Sequence, residues 1–202
     1  ASNVAVPNGV VMISPSATSP GLTALDDKGF FFRTAPSDAR GGQILADITK
    51  DRKIKSVAIT YTNNDYGKGL ADVYEAAVKA HGIKVTTVSA HEDGKADYSS
   101  EVATLAAAGG DAVAVIGYLD QGGKGIIQGS LDSGAFDKFI LSDGMIGDSL
   151  TDAFGKDLNK SFGSMPGSMN KKTAGTFTSV AKAAGIDSSG PYTGESYDAA
   201  AL

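Results

Sequence analysis

SVAITYTNNDYGKGLADVYEAAVKAHG, residues Ser56 to Gly82, reads as one strand followed by one helix. Its first seven residues are rich in β-branched and aromatic types, as a strand prefers. The turn residues NND follow. Beyond them Leu70, Val73, Tyr74, Ala77 and Val78 recur at the spacings that share one helix face, and the pattern stops at His81 and Gly82. Working outward, the unit repeats. IKVTTVSA (Ile83 to Ala90) is strand-like, the polar HEDGKADYS is a loop, and Tyr98, Val102 and Leu105 mark a helix closed by Gly109 and Gly110. DAVAVIGY is apolar almost without alternation, as a central parallel strand is. Ile126, Ile127 and Leu131 mark a third helix ending at Gly134, and FIL (Phe139 to Leu141) is a short strand running into SDGM. Alternation of this kind predicts an α/β fold with an open, three-layer, doubly wound parallel sheet.

The flanks do not belong to the repeat. GVVMISP predicts a strand bounded by Gly9 and Pro15, with the polar loop SPSATSPGLT behind it, and KGFFFRTAPSDARGG leads to a helix containing Ile44, Leu45 and Ile48. That first strand needs neighbours, either in the repeat or in a separate sheet. At the other end KSFGSMPG reads as an irregular strand and KKTAGTFTSVAKAAG as a helix with Phe177 and Val180 inward. PYTGESYDAAAL reads as the opening of another helix, from about Gly194 to Leu202. Both ends read as cut through a larger structure, and the start ASNVAVPNGVVMISP lacks the basic and long apolar regions of a signal peptide.

Composition narrows the function classes. A chain of 202 residues can bury a real core, and 26 glycines point to many tight turns. Lys and Arg number 18 against 23 Asp and Glu, with no cationic run dense enough to track a phosphate backbone, which argues against nucleic acid as a partner. The absence of cysteine removes disulfides, a thiolate nucleophile and Cys-ligated zinc, and leaves the compartment open.

Ligands of open parallel sheets collect outside the carboxyl ends of the strands. Three loops leave such ends here, TNNDYG, GYLDQGG and SDGMIGD, and they carry Tyr66, Tyr118 and Asp143. The expectation is that they line one cleft, with Gly67 and Gly117 letting the backbone turn sharply beside the two tyrosines. The plain alternative is that Asn63, Asp65 and Ser142 only turn or cap helices. Other signals are weaker. GSMNKKT (Gly167 to Thr173) resembles a phosphate loop but carries Lys171 where glycine is required, and LDQGGKG lacks the dinucleotide fingerprint spacing. His81 reads as a helix-end charge and His91 as part of a polar loop with Glu92 and Asp93, so no metal site is expected. Asp65 with Asp143 is the best carboxylate pair, without the nucleophile elbow or dyad spacing that catalysis would need. Asn159-Lys-Ser161 matches a glycosylation sequon, a pattern that arises easily by chance.

VVMISPSATSPGLT, FFFRTAPSDARGG, the Val57 to Val85 stretch with its NDYGKG turn, DYSSEVATLAAAGGDAVAVIGY and GESYDAAAL together resemble the periplasmic solute-binding proteins of branched-chain amino acid ABC transporters, with the type I binding fold. The resemblance implies two lobes closing over a small solute, docking on a membrane permease, an extracytoplasmic location and no cofactor. It implies that residues 1–30 are the tail of the amino-terminal lobe and first hinge crossing, 31–193 the second lobe, and 194–202 the start of a helix returning to the first. It implies solute contacts at Ser16, Ala17 and Thr18, through backbone groups and a hydroxyl, and at Tyr66, Tyr118 and Asp143, the last facing the solute's ammonium. Members known for leucine, isoleucine and valine usually carry Glu there, and Asp143 is one methylene shorter. Two rival readings stand beside this one: a ligand sensor or receptor domain of the same fold, and an enzyme on a doubly wound sheet, for which a glycine fingerprint at a strand–helix junction would be the mark.

Overall fold

The computed structural model describes residues 1–167 and 171–202. In chain order its elements are β1 Met12–Ser14, β2 Phe31–Arg33, α1 Asp38–Asp51, β3 Ser56–Thr62, α2 Asp65–Ala80, β4 Lys84–His91, α3 Ser99–Ala108, β5 Ala112–Ile116, α4 Lys124–Ser133, β6 Phe139–Leu141, α5 Asp148–Phe154, β7 Phe162–Gly163, α6 Lys171–Ala183 and α7 Thr193–Ala201. They fall into two compact units: Ala1–Ser37 with Pro166–Leu202, and Asp38–Met165. The cuts at 37/38 and 165/166 differ from the lobe ends expected near 31 and 193.

In the Asp38–Met165 unit five parallel strands run in the order β4-β3-β5-β6-β7. Period-two alternation sends successive side chains to opposite faces, and both faces are covered. Val57, Ile59, Ala112, Ala114, Ile116 and Ile140 face one way, onto Leu45 and Ala46 of α1 and Leu70, Ala71, Tyr74 and Val78 of α2. Ala58, Val113, Val115, Phe139 and Leu141 face the other, onto Leu105 of α3, Ile126 and Ile127 of α4, and Leu150 and Phe154 of α5. The predicted three-layer doubly wound sheet is therefore the one observed. All five residues of β5 are buried, whereas β4 alternates exposed and covered positions along a sheet edge.

Two polar devices fasten this unit. Tyr74, fully enclosed, donates to Thr49 Oγ1 at 2.9 Å because the Thr49 hydroxyl spends its own hydrogen on the Leu45 carbonyl at 2.7 Å, which ties α2 to α1. At the amino edge of the sheet the Asp111 carboxylate accepts from the Lys55 and Ser56 amides at 2.8 and 3.1 Å, aligning the starts of β3 and β5.

In the other unit β1 pairs in parallel with β2, in a sheet of their own. The strand expected from Gly9 to Pro15 contracts to three residues, and Val10 and Val11 are exposed. The reason is the partner: β2 begins only at Phe31, after Lys28 and Gly29 have taken positive φ, so β2 offers the upstream valines no strand to pair with. In α6 the inward expectation fails for Val180, which is exposed; Ala181 is buried and Phe177 meets the Tyr197 ring of α7 at 5.7 Å. The Gly167 to Thr173 segment weighed as a phosphate loop lies outside the described residues at 168–170. Among the described residues no helix is long and apolar enough to cross a membrane.

Candidate functional site

The chain runs from β3 to β4 on one side and then crosses back to β5 on the other, so the strand order reverses beside β3. Loops leaving strands at such a point diverge and open a crevice at the carboxyl edge of the sheet. The segments leaving β3, β5 and β6 stand there and carry Tyr66, in the first turn of α2, Tyr118 and Asp143. The Tyr66 hydroxyl lies 2.6 Å from Asp143 Oδ1 and 3.0 Å from Ser142 Oγ, and it accepts from the Gly144 amide at 3.3 Å. The rings of Tyr66 and Tyr118 are 5.3 Å apart and tilted by 30°. The three residues singled out from sequence in this unit are thus neighbours, although 77 residues separate Tyr66 from Asp143.

Local sequence explains the placement. Asn64 caps α2, accepting the Gly67 amide at 2.9 Å, which starts the helix where Tyr66 turns toward β6. The cap is Asn64 and not Asn63 or Asp65: Asn63 donates to Glu92 Oε1 at 2.6 Å, and Asp65 occupies the exposed first turn. Ser142 does not cap either; its hydroxyl oxygen accepts the Gly117 amide at 3.2 Å and reaches Tyr66, binding the β5 and β6 exits together. Gly67 and Gly117 serve a different purpose from the sharp turn expected of them. A Cβ at Gly67 would run into the Thr62 carbonyl and lie 2.7 Å from its Cγ2, and one at Gly117 would lie 3.1 Å from His91 Nε2. Close approach, not a positive φ, requires glycine at Gly67, and at Gly117 an added Cβ would press tightly on the His91 ring.

Burial first, then the Asp143 charge, push the Tyr66 phenol far above its ordinary range, so it remains a donor. Partial burial also raises Tyr118, with the Asp93 and Asp143 charges adding and a hydrogen bond with the Asn64 side chain opposing. His91 corrects the polar-loop reading. It is the last residue of β4, 1% exposed, with Nδ1 2.9 Å from Thr60 Oγ1 and Nε2 enclosed without a hydrogen-bond partner among the described residues. His81 bridges helices, its Nε2 2.8 Å from Asp47 Oδ1. Among the described residues no group of three or more His, Cys, Asp and Glu could hold a metal ion.

In the other unit Ser16 is exposed, Ala17 half-buried and Thr18 buried. The Ala17 amide donates to Ser14 Oγ at 3.1 Å. Arg33, at the end of β2, donates to the Ala17 and Ser19 carbonyls at 3.2 and 2.8 Å and to Thr23 Oγ1 at 2.6 Å. The sequence marks this arginine only as a lone cation at the end of an aromatic strand. Ser142 was readable only as a cap, since its partners come from two other loops.

A family model described as the receptor family ligand binding region matches residues 1–183. The chain belongs to this family. The ligand-binding-region chain is 38% identical over 123 residues to Leu/Ile/Val-binding protein homolog 3 of Brucella melitensis, covering 60% of itself and 33% of that relative. It is 34% identical over 161 residues to homolog 1 of the same organism, covering 77% of itself and 42% of that relative. The chain therefore spans between a third and a half of the length of these relatives. Its fold matches an ABC transporter substrate-binding protein of Desulfitobacterium hafniense, with TM-score 0.69, 22% identity and coverage of 98% of this chain and 59% of the other. It also matches a leucine-binding protein of Thermotoga maritima, with TM-score 0.69, 20% identity and coverage of 88% and 52%. The type I periplasmic-binding fold expected from the sequence is the fold of this family member.

Proposed function

We propose that this chain belongs to the extracytoplasmic solute-binding component of an ABC importer, a non-catalytic protein that delivers a small amino acid to a membrane permease. The observation that carries the reading is the meeting of Tyr66, Tyr118 and Asp143 at the carboxyl edge of the sheet, where the strand order reverses. Two ring faces offer apolar contact to a short side chain, and the Asp143 carboxylate suits an ammonium. A charge taken out of water needs such a partner, because leaving it unpaired costs several kcal/mol. Ser16, Ala17 and Thr18 are proposed as the other lobe's contacts, on a loop that Arg33 holds in shape. Relatives named for leucine, isoleucine and valine support a branched-chain amino acid as the first solute to try.

Calorimetric titration of the protein with L-leucine, L-isoleucine and L-valine tests the reading, with Asp143→Asn as the variant. Asn keeps the size and removes the charge. Loss of about 2 to 5 kcal/mol of binding is expected for a buried charge pair, against less than about 0.5 kcal/mol for an exposed turn residue. Unchanged affinity in Asp143→Asn would take the ammonium, and with it the amino acid, out of the reading.

A further inference from the structure

We propose that Tyr66 acts as the positioning residue of Asp143, fixing that carboxylate for a cationic group on the solute, and that its own hydroxyl makes no hydrogen bond to the solute. The inference rests on the reading above, in which Asp143 faces an ammonium, and gives Tyr66 a role different from the direct contact expected of it.

A phenol oxygen has one hydrogen to give and two lone pairs to fill. The hydrogen goes to Asp143 Oδ1, at the 2.6 Å separation of a charge-assisted bond. With that hydrogen committed, Ser142, 3.0 Å away, is the donor in its pairing with Tyr66, and the Gly144 amide is a second donor at 3.3 Å. Ser142 can give its hydrogen because its own oxygen is filled from the Gly117 amide. All three capacities of the Tyr66 hydroxyl are therefore spent inside the protein. A solute atom could bond that oxygen only by displacing a protein partner from a half-buried site. The surroundings leave little room for adjustment: a Cβ at Gly144 would strike the Gly117 carbonyl and stand 3.2 Å from both the Tyr66 hydroxyl and the Tyr118 ring. The raised phenol supports the assignment, since the group stays protonated and keeps donating. What Tyr66 can present to a solute is its ring, beside that of Tyr118.

Tyr66→Phe keeps the ring and removes the hydroxyl alone. The first measurement needs no solute: the α–β proton couplings of Asp143, read by NMR on the whole chain at pH 7. One side-chain rotamer is expected in the unaltered protein and an average over rotamers in Tyr66→Phe; the same single rotamer in both would overturn the positioning role. The second is titration with L-leucine and with 4-methylpentanoate, which lacks the amino group. Tyr66→Phe should weaken L-leucine about tenfold or more, leave 4-methylpentanoate unchanged, and add nothing once Asp143→Asn is present. Equal weakening of both probes would place the hydroxyl on their shared carboxylate and overturn the proposal. Rotamer averaging in a protein that binds neither probe would sink the amino acid reading and leave the positioning role standing.

Discussion

His91 shows how far a residue's surroundings can depart from its sequence context. HED reads as polar loop, yet hydrogen bonding of β4 to β3 continues through Thr62↔His91, and the imidazole is drawn under the Gly117 backbone with its edge toward Tyr98. No periodicity in the sequence carries that, because it depends on how far one strand overruns its neighbour. Burial lowers the His91 pKa, while the Asp93, Glu101 and Glu92 charges pull the other way and lose. The folded ring is therefore neutral where the unfolded one begins to bind a proton. Above the ordinary histidine value of about 6.5 both states are neutral, so this residue adds no pH dependence there. As pH falls through that value the unfolded chain gains the proton first and stability drops, levelling off below the folded value. Denaturant midpoints at pH 7.5, 6.5 and 5.5 should show this decline, and His91→Gln should flatten it. An equal slope in both proteins would mean that the acid sensitivity comes from elsewhere.

At the scale of elements, what the sequence made readable is what local pattern determines. The SVAITYT and FIL strands and the Asp65–Ala80 helix appear where periodicity put them, because their apolar runs are bounded by turn residues and a cap. Helix α5 was not read, since only Leu150 and Phe154 of its seven residues are buried, too few to display a period. The length of β1 was misjudged because a partner strand sets it, not its own valines. The β3–α2 junction provides a test in which two general effects oppose each other. Replacing a helical glycine by alanine ordinarily gains up to about 1 kcal/mol. At Gly67 the added methyl would run into the Thr62 carbonyl and methyl, so Gly67→Ala should instead cost about 1 to 3 kcal/mol of stability. Chemical denaturation measures it, and a stabilised variant would show the junction to be looser than described.

For the whole molecule, the doubly wound order was legible and the pairing within the Ala1–Ser37 and Pro166–Leu202 unit was not. Alternating strands and helices specify layers, but nothing local says that Phe31–Arg33 pairs with β1, or that Thr34 donates to the Glu195 carbonyl at 2.8 Å and so associates the two ends of the chain. The Asp38–Met165 unit holds both large apolar clusters, each built from its own strands and helices. Expressed alone, residues 38–165 should unfold in a single cooperative transition by circular dichroism and resist proteolysis; a broad, non-cooperative melt would show that residues outside the unit are needed for its packing.

Under the proposed solute-binding reading, the interlock of Gly117, Ser142, Tyr66 and Gly144 also bears on how new selectivity would be acquired at this edge of the sheet. Each of these positions restricts what its neighbours can be: the Gly117 amide needs the Ser142 oxygen, Ser142 and Gly144 fill the Tyr66 oxygen, and Gly144 leaves space beneath the Gly117 carbonyl. A library that varies them one at a time will sample mostly broken intermediates. If the proposed solute site is the right one, laboratory evolution toward a different solute would do better to leave those four untouched and randomise Tyr118 and the exposed Asn63, whose side chains take no part in these hydrogen bonds.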